Sequence, residues 1–99
     1  MKKTYRLSPY YLLQQVGKDT VLLPCGDNED VDFSKMIILN KSGAVLVNSM
    51  EQRACTQEEL VTAMQQKFEA PAAQIMPDVI EFLDQMVANH YIEVEEQEE

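Results

Sequence analysis

The chain has no tryptophan, one histidine, two cysteines and three glycines among its 99 residues. Each shortage excludes something. Gly17, Gly26 and Gly43 stand alone, so there is no glycine-rich loop to cradle a phosphate, and neither an HExxH nor a GxSxG pattern occurs. Cys25 and Cys55 lie far apart with no CxxC spacing, and His90 has no ligand-spaced companion, so no metal site is expected. Lone His90 lacks the nucleophile and orienting partner that base catalysis needs, and paired acids such as Glu58 and Glu59 are explained by helix capping. No catalytic residues and no cofactor are expected. Cys55, just ahead of a helix start, keeps the enzyme reading open by one thiol. No apolar run reaches 18 residues, and the basic start MKKTYRL is not followed by an apolar stretch. The chain therefore reads as cytoplasmic, with no membrane partner.

Basic residues are also scarce. Seventeen acids stand against eight bases, for a net charge of −9, and no Lys or Arg follows Lys67. Five of the acids (Glu93, Glu95, Glu96, Glu98 and Glu99) lie in the last seven residues; the remainder, 12 acids against 8 bases, is ordinary for a small domain. The length suits one domain, expected to span residues 1–92 with an acidic, disordered tail over 93–99.

What is present reads as strands first and helices after. Tyr10 to Val16 and Thr20 to Leu23 flank the turn signal Gly17-Lys18-Asp19, which predicts an antiparallel hairpin. A polar loop from Gly26 to Asp30 follows. Lys35-Met36-Ile37-Ile38-Leu39 is apolar on both sides of the alternation, as in a strand whose second face or free edge awaits a partner. Asn40 or Ser42 caps a first helix through Met50. Thr56-Gln57-Glu58-Glu59 is a capping box for a second, with Leu60, Met64 and Phe68 on one stripe. A third helix starts near Ala73 to Met76 and runs to His90, with Ile75, Val79, Phe82, Leu83, Met86 and Val87 on a wide apolar face. The fold expected is α+β, winged helix-turn-helix-like: a three-stranded antiparallel sheet followed by three helices. DNA binding does not follow from it. The third helix offers Asp78, Glu81 and Asp84 and no base, so it would repel phosphates.

The run Ile38-Leu39-Asn40-Lys41-Ser42-Gly43-Ala44, then Thr56-x-x-Glu59-Leu60, then Val79-Ile80-Glu81-Phe82-Leu83-Asp84-Gln85-Met86, resembles the PqqD-like family from about Tyr10 to Ile92. Where many relatives have a glycine just before the final apolar pair, this chain has His90. The resemblance implies a non-catalytic peptide chaperone, as in pyrroloquinoline quinone biosynthesis. It would bind the leader of a ribosomally made precursor and present it to a modifying enzyme of the radical S-adenosylmethionine type. It further implies that the leader adds a strand beside Lys35, Met36, Ile37, Ile38 and Leu39 and rests against Asp78, Val79, Phe82, Leu83 and Met86. The competing expectation is a structural or regulatory interaction module, a homodimer through two third-strand edges.

Overall fold

The computed structural model describes residues 2–25 and 36–97. Five strands and three helices follow in order: β1 (Lys2–Leu7), β2 (Tyr11–Val16), β3 (Asp19–Pro24), β4 (Ile37–Leu39), α1 (Lys41–Gln52), α2 (Gln57–Phe68), α3 (Ala72–Ala88) and β5 (Ile92–Gln97). This is an α+β fold with two antiparallel sheets and three helices. The expected three-stranded sheet is present in the order β2-β3-β4, and the three helices follow it. Gly17 sits at the first central position of the β2–β3 turn with φ +60, the geometry that a two-residue hairpin turn asks of glycine. The expected loop from Gly26 to Asp30 and residue Lys35 lie outside the described residues.

The second sheet corrects the sequence reading at both ends. β1 pairs antiparallel with β5, from Lys2 opposite Gln97 to Leu7 opposite Ile92. Residues 93–97 are therefore part of the domain and not a disordered tail beyond residue 92. Their acidity is matched by the basic start: Lys3 Nζ lies 3.5 Å from Glu96, and Arg6 donates to Glu93 at 3.1 Å. Exposed pairs of this kind contribute little each. Apolar contacts add to them, since Ile92 is buried and Tyr5 and Leu7 pack on the core. On its other side β1 exchanges two backbone hydrogen bonds between Tyr5 and Cys55, at 2.7 and 2.8 Å.

One core joins the elements, with Leu22 from β3, Leu46, Val47 and Met50 from α1, Leu60, Val61 and Met64 from α2, and Ile75, Val79, Leu83 and Met86 from α3. Phe68 departs from the expected stripe. It ends α2 and stays 39% exposed, while Leu60 and Met64 face inward.

The helix ends explain the sequence between them. Of the two candidates, Asn40 caps α1, its Oδ1 accepting from Gly43 N–H at 2.8 Å and from Ser42 Oγ at 3.0 Å. At α2, Thr56 Oγ1 accepts from Glu59 N–H and Glu59 Oε1 accepts from Thr56 N–H, which completes the capping box. The Thr56 backbone hydrogen bond, helped by Arg53 at 2.6 Å, holds the Glu59 carboxyl below the usual carboxylate range. A lowered folded-state pKa contributes stability above the unfolded value that is lost as pH falls through the folded one. Glu59→Gln is therefore expected to flatten the acid limb of a stability-versus-pH curve, read by thermal melts between pH 7 and 2.

α3 starts at Ala72, earlier than expected, which puts Pro77 in its second turn. Pro77 has no N–H to offer the Ala73 carbonyl, and both residues face solvent, where water can serve instead. The helix closes in a Schellman motif: His90 N–H donates to the Val87 carbonyl, Tyr91 N–H to the Met86 carbonyl, and His90 takes φ +66. This is a left-handed position that favours glycine. His90→Gly is expected to raise stability by about 0.5–1 kcal/mol, measured as an increase in the urea midpoint.

Candidate functional site

The site grows from the end of β4. Ile37 pairs with Leu22, Ile38 with Val21 and Leu39 with Thr20, and no strand pairs with the other edge of β4 among the described residues. The alternation turns Ile37 and Leu39 toward the core and leaves Ile38 64% exposed. Met36, just before the strand, is 44% exposed. No charged side chain stands on these three strand residues. The free edge of β5, by contrast, carries Glu93, Glu95 and Glu96, the kind of charge that discourages strand addition. The outer edge of β2 is a third, its exposed positions including Leu12, Gln14 and Gln15.

The first turn of α1 fixes where α3 lies. A side-chain carbon on Gly43 would sit 3.1 Å from both Asn40 Oδ1 and Phe82 Cε2. Glycine at this position therefore lets the half-buried Phe82 ring of α3 close on the cap of α1, next to the end of β4.

The residues expected on α3 separate into two groups. Phe82 is half-buried and Asp78, one turn before it, is exposed. Val79, Leu83 and Met86 are buried in the central core. The reason is helical geometry: with Ile75 they form the stripe that meets α1 and α2. On the flank beside this stripe Ala73, Met76, Pro77 and Ile80 floor an open groove of about 680 Å³, edged by Glu81 and Asp84. Sequence reasoning passed over this groove, although Met76, Pro77 and Ile80 signal it by being apolar off the core stripe.

A second concavity, of about 420 Å³, lies between the β2–β3 turn, the end of β4, the start of α1 and the end of α2. Lys18, Lys41, Lys67 and Phe68 stand around it.

Cys55 is buried, with its thiol near the Ser49 and Arg53 carbonyls at 3.5 and 3.4 Å. Burial pushes its pKa up, against a smaller opposing effect of Arg53. A thiol that resists ionisation is a poor nucleophile. Its iodoacetamide reaction at pH 8 is expected to run at least tenfold slower than that of free cysteine, and a faster rate would reopen the catalytic reading.

The family described as coenzyme PQQ synthesis protein D, PqqD, matches residues 11–92, most of the chain. The chain belongs to the PqqD family. The match starts at β2 and ends at the first residue of β5, so β1 and most of β5 stand outside it. No curated protein matches the chain. A similar solved structure is that of TbiB1 in complex with the TbiA(beta) leader peptide, with a TM-score of 0.69 over 89% of this chain and 94% of that one. Its sequence is 18% identical, so the likeness is one of fold. No helix among the described residues is long and apolar enough to cross a membrane.

Proposed function

We propose that this PqqD-family chain is a non-catalytic recognition element for the leader of a ribosomally synthesised precursor peptide. The observation that carries the reading is the edge of β4, uncharged and without a paired strand among the described residues, in a fold that TbiB1 shares. An extended leader adds a strand to this edge, its backbone supplying affinity and its alternate side chains supplying selectivity. Ile38 and Met36 offer apolar contact beside the edge. Phe82, which lies against the start of α1 just after β4, and Asp78, one turn before it on α3, are the helix residues proposed to meet the peptide, and Lys35 extends the edge in sequence. A winged-helix-like arrangement is here used to hold a peptide, not DNA. The bound leader is then presented to a modifying enzyme, of which a radical S-adenosylmethionine enzyme is the type proposed, in the cytoplasm.

Calorimetric titration with leader peptides of ribosomal precursors tests this. Saturable binding with one peptide per chain is the expected result, and failure of every leader to bind would sink the proposal. Sedimentation of the free chain separates the competing homodimer, in which two β4 edges pair and leave no room for a peptide. A monomer is expected.

A further inference from the structure

We propose that the lysine-lined concavity beyond β4 receives an acidic segment of the same peptide that pairs with β4, which fixes the peptide's register. This rests on the strand-addition reading above. Lys18 lies in the β2–β3 turn, Lys41 opens α1 and Lys67 belongs to the last turn of α2. Three residues distant in sequence thus meet around one depression, with Leu39, Val45 and Phe68 as its apolar parts. They are three of only eight bases in a chain of charge −9. All three are exposed, and none of them ion-pairs with a carboxylate among the described residues, where the other close pairs use Lys3, Arg6 and Arg53.

The placement of Lys41 runs against local electrostatics. A helix start favours acids, yet the first turn of α1 has none and begins with a lysine. Lys67 suits its helix end without any ligand; Lys41 does not. The positive end of α1 and three unpaired ammonium groups therefore face one depression with no anion supplied by the described fold.

Position says what would bring the anion. Leu39 is both the last residue of β4 and part of the depression. Thr20, the partner of Leu39 on β3, lines the depression as well, so a peptide on the free edge of β4 reaches it by crossing the end of that strand, a few residues at about 3.3 Å each. Three residues of backbone pairing specify register weakly, and a slip by one turns every side chain over. Carboxylates held at one end remove that ambiguity. Elsewhere Asp78, Glu81, Asp84 and the glutamates of β5 would repel an acidic segment. The recognised class is thus an extended apolar segment with acidic residues on the side that passes Leu39.

The test uses three synthetic peptides sharing an alternating threonine–valine segment, with three glutamates at its N-terminal end, at its C-terminal end, or glutamines at both. Amide shifts of the labelled chain give affinity and location. One glutamate peptide should bind about tenfold tighter than the glutamine peptide at low salt, with shifts at Ile37–Leu39 and at the three lysines. The gain should vanish in 0.5 M salt and in the triple variant Lys18→Gln, Lys41→Gln, Lys67→Gln. Equal affinity of all three peptides, with shifts kept at Ile37–Leu39, overturns the lysine assignment and leaves strand addition standing. No shifts at Ile37–Leu39 with any peptide overturns strand addition and this inference with it. Equal competition by an oligothymidylate overturns the assignment to a peptide.

Discussion

Leu83→Ala is expected to destabilise the chain by about 3 kcal/mol, lowering the melting temperature of a domain this size by roughly 15 °C. Leu83 is 1% exposed and packs in the core shared by α1, α2 and α3. Its truncation removes buried methyl groups and leaves a cavity that helices tied at both ends close only in part. The family resemblance implies instead that Leu83 lines the peptide groove. A groove residue would lose peptide affinity on truncation and melt almost unchanged. The two readings therefore differ in which measurement moves, and denaturation of the peptide-free chain decides between them. Ile80→Ala provides the contrast: Ile80 is 39% exposed on the flank of α3 beside the core stripe, so its truncation should cost well under 1 kcal/mol.

The second large effect is on binding. Ile38→Asp is expected to weaken leader affinity at least tenfold while moving the melting temperature by only a few degrees. Ile38 is 64% exposed, so the folded chain tolerates a charge there with loss of strand preference only. An incoming strand would desolvate that carboxylate against its own backbone without a compensating partner, which costs more than the lost apolar contact. Nature uses the same device on β5, where glutamates guard a free edge. Gln14→Asp, on the outer edge of β2, is the control, and leader affinity should not change.

Local features were readable from the residues that make them. Gly17 and Lys18 gave the hairpin, Asn40 and Thr56 the helix starts, and Met36 to Leu39 the apolar edge, because each depends on neighbours a few positions away. The β1–β5 sheet was not readable in this way. Arg6 and Glu93 meet across 87 positions, and no local pattern ties them together. Their signal was present as charge, with bases gathered at the start and glutamates at the end, and it was read as composition instead of as cross-strand complementarity. On α3 the core stripe Ile75, Val79, Leu83 and Met86 was legible in the apolar face, whereas the groove at Met76, Pro77 and Ile80 was not, for a different reason. Val79 and Ile80 are equally apolar, and a helix apolar on more than one side does not say which side meets the core. His90 shows the converse case, a departure from the family pattern whose meaning became visible with its φ of +66.

In the proposed complex a peptide strand pairs with β4. Amide hydrogen exchange of the free and leader-bound chain tests it directly, because strand addition must hydrogen-bond outward-facing amides of that edge. Slowed exchange within Ile37–Leu39 on leader binding is the result predicted. Unchanged exchange there, with protection gained along Tyr11–Val16 or Ile92–Gln97, would contradict it.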